Sequence, residues 1–183
     1  MTKVVFSMTM SLDGFINDPS GSVDRLYPDL GALQLTEWLQ QSIRDTGAVL
    51  MGRGTYDMAG GDFTGYEFQV PIFVVTHRPP EKPAEGENDQ LKFHFISDGI
   101  EKAVARARTA AGDKDVTVVG GPETLKQLLQ ARLLDELQVG IMPILLGGGQ
   151  RLFEDAELAA MELEKLSVTE VLGVTYIRYR IPR

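Results

Sequence analysis

A chain of 183 residues, 43% apolar and 24% charged, has the length for one sizeable core and the composition of an ordinary soluble globular protein. No run approaches the ~20 continuous apolar residues of a membrane span, and the absence of cysteine removes disulfides, thiolate zinc sites and cysteine nucleophiles together. A formal net charge of −8 argues against nucleic acid, whose phosphates demand a basic face, but leaves room for a nucleotide held by a few local cations.

The N-terminal Met1-Thr-Lys-Val-Val-Phe6 runs directly into a strand pattern without a small-residue cleavage site. The expectation is a cytoplasmic protein folded as a single domain over residues 1–183, with no metal site. Val4, Val5, Phe6, Met8 and Met10 predict a strand over 3–10, apolar enough to be buried on both faces. It ends at Ser11-Leu-Asp-Gly-Phe-Ile16, where Asp13-Gly14 supplies a turn. Residues 17–31, carrying Gly, Pro, Ser and Asp, read as a long loop, a candidate lid over a bound ligand.

Leu33, Leu35, Trp38, Leu39 and Ile43 recur at helical spacing and predict a helix over 34–46, with Gly47 at its end. Ala48-Val-Leu-Met51 is too short for a stable helix and reads as a buried strand running into Gly52-Arg53-Gly54-Thr55. There two glycines permit a sharp turn, and Thr55 is expected to cap the helical turn that follows. A Gly-rich stretch over 60–65 precedes a second buried strand, 71–76, ending in Thr76-His77-Arg78-Pro79. After a polar loop over 81–90, residues 91–96 alternate as a strand, and Ser97 or Asp98 is expected to cap an alanine-rich helix over 99–111.

A further strand, 115–119, closes on Gly120-Gly121-Pro122-Glu123-Thr124 and leads to a helix over 123–131. The last third holds strands at 135–142, 167–171 and 174–180, with Gly173 at the centre of the final hairpin. Strands alternating with helices and then following one another predict an α/β fold whose mixed, mostly parallel sheet has an antiparallel C-terminal edge.

Ligands in open α/β sheets bind outside the carboxyl ends of parallel strands. Three of those ends here carry anion chemistry. Gly52-Arg53-Gly54-Thr55 offers backbone donors and a guanidinium, Thr76-His77-Arg78 would suit a phosphomonoester, and Gly120-Gly121 would let main-chain amides approach a pyrophosphate. Each has a plainer reading: an exposed turn, a surface charge beside a solvated histidine, and a strand-to-helix turn with proline at the first helical position. Two arginines at separate strand ends point to NADP rather than NAD. Neither the Gly-x-Gly-x-x-Gly nor the Walker fingerprint is present.

Ser11-Leu-Asp-Gly-Phe-Ile16, Met51-Gly-Arg-Gly-Thr-Tyr56, Val75-Thr-His-Arg78, Val119-Gly-Gly-Pro122 and Pro143-Ile-Leu-Leu-Gly-Gly-Gly149 occur in this order. Together they resemble the dihydrofolate reductase superfamily, and within it the branch similar to the C-terminal reductase domain of the bacterial riboflavin-biosynthesis deaminase-reductase. The resemblance implies a three-layer fold with a central sheet of eight or nine strands and helices on both faces, NADPH as hydride donor, and a homodimer. It implies that Arg53, Arg78, Thr76 and His77 surround the 2′-phosphate. Gly52, Gly54 and Thr55 would meet the pyrophosphate from one side, and Val119, Gly120, Gly121, Glu123, Thr124 and Leu125 from the other. Met8, Thr9, Ile16 and Asn17 would line the nicotinamide, and a pterin- or pyrimidine-like substrate would lie near Gln34, Glu37 and Trp38.

Two departures qualify this. Gln34 or Leu35 stands where true dihydrofolate reductases carry a carboxylate, so folate itself is not the expected substrate. With no cysteine and only His77 and His94, a zinc deaminase half is absent. The implied reaction is hydride transfer to a C=N or C=O carbon, with water, Asp13 or Glu37 as proton donor. Asp13 is also readable as a turn residue. The rival from another class is an NADP(H)-binding module without turnover, a sensor or scaffold.

Overall fold

Apolar runs from the first two-thirds of the chain pair in parallel, and the alternating runs of the last third extend the sheet antiparallel. The computed structural model describes residues 2–82, 84–154 and 161–182. Among them are eight strands: β1 (Val4–Ser11), β2 (Thr46–Gly52), β3 (Ile72–Val75), β4 (Phe93–Ile96), β5 (Asp115–Val119), β6 (Glu136–Met142), β7 (Glu164–Val171) and β8 (Val174–Arg180). They form one sheet in the order β4-β3-β2-β5-β1-β6-β8-β7. All pairings from β4 to β6 are parallel, and β8 is antiparallel to both of its neighbours.

Register sets the core. Phe73, Leu50 and Val118 lie side by side on β3, β2 and β5, with Phe6 of β1 next in the row. All four are buried on one face of the sheet, each contributing roughly 1.5–3 kcal/mol of apolar burial. Helices α4 (Ile100–Ala111) and α5 (Pro122–Gln130) cover that face through Ala103, Val104, Leu125 and Leu128. On the opposite face Val49, Met51, Ile72 and Val74 pack with Leu39 of α2 (Glu37–Asp45) and Tyr56 of α3 (Arg53–Met58). The three-layer expectation therefore holds.

Several local expectations need correction. The helix expected over 34–46 is two: α1 (Leu30–Gln34) and α2, divided at Leu35-Thr36. Asp29 accepts from the Ala32 N–H at 2.8 Å and Thr36 from the Leu39 N–H at 3.3 Å, so each helix has its own N-cap. Thr55 does not cap α3, which begins at Arg53 with Gly52 at its N-cap and no side-chain bond there. Neither Ser97 nor Asp98 caps α4; Gly99 does, at φ 101°, and Asp98 instead lies 3.7 Å from Lys102 and 3.8 Å from Arg106. At the last hairpin Leu172 joins Gly173 at positive φ, the paired left-handed geometry of a primed two-residue turn.

Two contacts fix the segment that follows β1. The Asp13 carboxylate accepts from the Ser11 hydroxyl at 2.6 Å, the Leu146 N–H at 3.1 Å and the Gly147 N–H at 2.8 Å. The Ser11 bond, aided by the two main-chain donors, holds Asp13 down to about 2 from its ordinary 3.8. Beside it, Asn17 Oδ1 accepts from the Gln150 N–H at 2.7 Å, and the Ile16 N–H donates to the Gln150 carbonyl at 2.8 Å. Gly149 makes this approach possible: it sits at φ 116°, and a Cβ there would fall on the Asn17 carbonyl.

Two outcomes follow. Gly149→Ala adds on the order of 1–3 kcal/mol of backbone strain besides the overlap, and at roughly 2–4 °C per kcal/mol thermal unfolding should show a Tm lower by at least about 2 °C; an unchanged Tm would discount the contact. The Asp13 pKa is lowered on folding, so its contribution is full above about pH 5 and is lost as pH falls through about 4 towards 2. In a urea series across pH, Asp13→Asn should be less stable than wild type at pH 7, with the gap closing towards pH 2.

Candidate functional site

β2 and β5 are neighbours, and each leads into a glycine that starts a helix. Gly52 precedes α3 and Gly121 precedes α5, and neither helix has a side-chain cap on its first-turn N–H groups. The two turns touch. A Cβ on Gly52 would come within 2.5 Å of Thr124 Oγ1, and one on Gly120 within 3.4 Å of Thr55 Oγ1 and 3.6 Å of the Gly52 nitrogen. At position 52 glycine is what permits this packing, and it leaves uncapped main-chain donors with two threonine hydroxyls around one hollow. Such a cradle suits a phosphate group, with the nine-residue α5 adding its dipole.

That hollow is the middle of a cleft of about 1090 Å³ running along the carboxyl ends of β1, β2, β3, β4 and β5. At one end stand Arg53, Thr76, His77 and Arg78. Arg53 is tied on two sides: its Nε donates to Asp57 at 2.7 Å and its Nη1 to the Arg78 carbonyl. The Thr76 hydroxyl donates to the same carbonyl at 3.0 Å and accepts from the Arg78 N–H at 3.2 Å. Arginines 25 residues apart in sequence are thus fixed on one rim. At the other end the lining is Met8, Ile16 and Asn17, with Gly21, Val23, Tyr27 and Gln150.

Of the residues singled out from the sequence, Met8, Ile16, Asn17, Gly52, Arg53, Gly54, Thr55, Thr76, His77, Arg78, Val119, Gly120, Gly121, Glu123 and Thr124 line this cleft. The others lie elsewhere. Thr9 is buried behind the wall, and Leu125 is fully in the core. Gln34 is exposed, its carbonyl accepting from Gln40 Nε2 at 2.8 Å. Glu37 is exposed and paired with Arg44, while Trp38 packs on Tyr176 with ring centroids 4.0 Å apart. Asp13 is consumed by its clamp on the 146–147 main chain.

Sequence reasoning missed two groups of lining residues. Ile96, Ser97, Gly99 and Ile100 form a fourth strand end, with the same strand–glycine–helix signature as the ends of β2 and β5. Tyr27 sits in the stretch 17–31, read as a long loop and candidate lid; its companion Leu26, fully buried, is the signal that this loop is anchored rather than free. The Thr9 N–H donates to Tyr27 Oη at 3.4 Å, and that hydroxyl lies 3.9 Å from Met8 Sδ. Among the described residues, Glu123 is the one carboxylate lining the cleft, and no group of three or more His, Asp or Glu side chains is placed to hold a metal ion. No described helix is long and apolar enough to cross a membrane.

Known proteins fit this geometry. The chain is 28% identical over 163 residues to the uncharacterized protein YyaP of Bacillus subtilis strain 168, covering 85% of this chain and 82% of that one. A solved structure from Shewanella sp. PV-4, named for riboflavin biosynthesis, superposes with a TM-score of 0.79 at 27% identity, covering all of both chains. Dihydrofolate reductase from Enterococcus faecalis, solved with NADP(H), gives a TM-score of 0.66 at 16% identity over 99% of this chain and 97% of that one, which establishes the shared fold. The family described as the RibD C-terminal domain matches residues 2–175. With nearly the whole sequence inside that match, the chain belongs to the RibD C-terminal domain family and has its dihydrofolate reductase-like fold.

Proposed function

We propose that this protein is an NADPH-dependent reductase acting on a pterin-, pyrimidine- or related small heterocyclic substrate, with chemistry like that of the riboflavin-pathway reductase step. The observation that carries this reading is a single cleft with a glycine-and-threonine phosphate cradle at its middle and two arginines at one end. The family and the NADP(H) bound by the Enterococcus reductase support it.

The residues fit the cofactor in size and chemistry. Gly52, Gly120 and Gly121 would bring main-chain donors to the pyrophosphate, and Thr55 and Thr124 would add hydroxyls. Arg53 and Arg78 would take the 2′-phosphate, with Thr76 fixing the Arg78 turn. The nicotinamide would lie towards Met8, Ile16 and Asn17, where the cleft is more apolar and water is more easily excluded. When bound, NADPH supplies a hydride from its nicotinamide C4 to an electrophilic C=N or C=O carbon. The chain's own contribution is positioning: the clamps at Asp13 and Gly149 hold one wall, and the Arg53 bonds hold the rim opposite.

The alternative, an NADP(H)-binding module without turnover, draws on one observation: no carboxylate of the described residues faces the Met8 end of the cleft. Oxidation of NADPH in the presence of any pterin, pyrimidine or quinone-like acceptor rules it out.

Calorimetric titration tests the cofactor. Wild type should bind NADPH in the micromolar range and NADH much more weakly. Arg53→Ala or Arg78→Ala removes a charge-assisted pair worth roughly 1.5–3 kcal/mol, so NADPH affinity should drop about 10- to 100-fold while NADH affinity changes little. Equal losses for both cofactors would sink the 2′-phosphate assignment.

A further inference from the structure

The proton that must accompany hydride transfer has no carboxylate to come from. Asp13 is held ionised by three hydrogen bonds off the cleft, and Glu37 is exposed on α2 and paired with Arg44. Glu123 and His77 line other parts of the cleft. At the Met8 end the protic side chains among the described lining residues are Asn17, Gln150 and Tyr27, and the two carboxamides do not ionise in the working range. We propose that the Tyr27 hydroxyl is the proton donor at the reaction end of the cleft. This rests on the reductase reading above.

Its hydrogen bonding suits the role. The phenol oxygen accepts from the Thr9 main-chain N–H, and its other neighbours are the Thr9 hydroxyl and the Met8 thioether, 3.9 Å away and a weak acceptor. Neither is charged, and the Thr9 hydroxyl can itself donate to the phenol oxygen, which leaves the phenol proton to turn to a heteroatom brought into the cleft. The Thr9 N–H stays in place to receive the negative charge that builds on the oxygen as the proton leaves. Burial pushes the phenol above its ordinary 10, so it is protonated and ready at neutral pH, and its bonds with Thr9 pull the other way. Position is secured from both sides: Leu26 is 1% exposed and Thr9 3% exposed, so neither can drift without opening the core.

The step balances. The electrophilic carbon gains a C–H bond from hydride, the π-bond to its nitrogen or oxygen breaks, and that heteroatom uses the freed electron pair to take the Tyr27 proton. The phenolate left behind regains a proton from water. The reductant is the nicotinamide dinucleotide of the proposed function.

Tyr27→Phe keeps the ring and deletes only the oxygen. Two readouts test it. In protein labelled with carbon-13 at tyrosine Cζ, the Tyr27 resonance is identified, among five tyrosines, as the one missing from Tyr27→Phe, and it should shift when NADPH is added. In turnover with 5-amino-6-(5-phosphoribosylamino)uracil or dihydrofolate as probe, kcat should fall by about 100-fold or more, with KM and the NADPH Kd within about twofold of wild type. An unchanged kcat overturns the proposal, as does a loss of NADPH affinity as large as the loss of kcat, which would mark a packing role. A Tyr27 resonance that stays still while calorimetry registers NADPH binding also overturns it, and leaves the cofactor reading standing. NADPH binding without oxidation by any probe makes the protein a binding module and removes the need for a donor. A wild type that binds no NADPH ends both readings.

Discussion

The parallel register of β2 against β5 is the constraint on which the cleft depends. With Met51 opposite Val119, the two strands stop at the same level, and Gly52 and Gly120 come to lie beside one another. The helices that follow must then start within touching distance, and the Thr124 hydroxyl occupies the space that a side chain on Gly52 would need. A shift of one residue in this pairing would turn the side chains of one strand, Leu50 or Val118 among them, to the opposite face. The packing that buries Leu50 is therefore the same packing that builds the cradle. Stability and site geometry are set by one register.

The two ends of the cleft are built by different physics. The arginine end is exposed and polar, and it is kept in shape by hydrogen bonds among Arg53, Asp57, Thr76 and the Arg78 carbonyl. Exposed charges of this kind add little to folding stability, so their value lies in holding a guanidinium ready. The Met8 end is more apolar and is shaped by packing and by two clamps, the close approach of Gly149 to Asn17 and the Asp13 carboxylate on the Leu146 and Gly147 N–H groups. Its walls come from segments far apart in sequence that no single element supports.

Much of this was legible in the residues. Apolar runs located the strands because burial on both faces leaves no polar positions, and β5 fell on the predicted span 115–119. The strand ends with glycine or arginine converged because parallel strands all present their carboxyl ends to one side. Helix starts were misread at Thr55 and at Ser97-Asp98 because the usual capping residues were assumed to cap. Here glycines take that place and the first-turn N–H groups stay open along the cleft. The period that joined Leu33 to Ile43 ran across two helices, since spacing carries no mark of a break at Leu35-Thr36. The packing partners of Trp38 and Tyr27 were beyond reach for a shared reason. Which way a side chain leans depends on neighbours such as Tyr176 and Thr9, which lie 138 and 18 residues away.

The place of β1 has a consequence for how the chain is made. It is made long before its partners, β5 and β6, with Val4 against Val116 and Phe6 against Leu137. Until more than a hundred further residues have been synthesised, an apolar strand meant for the middle of the sheet has nothing to pair with. At roughly 5–20 residues per second, that wait lasts from several seconds to about half a minute. Non-local parallel pairing of this kind is slow in itself. The nascent chain therefore carries a central strand uncovered while the rest is made, and chaperones that shield short apolar segments would find a binding site in β1.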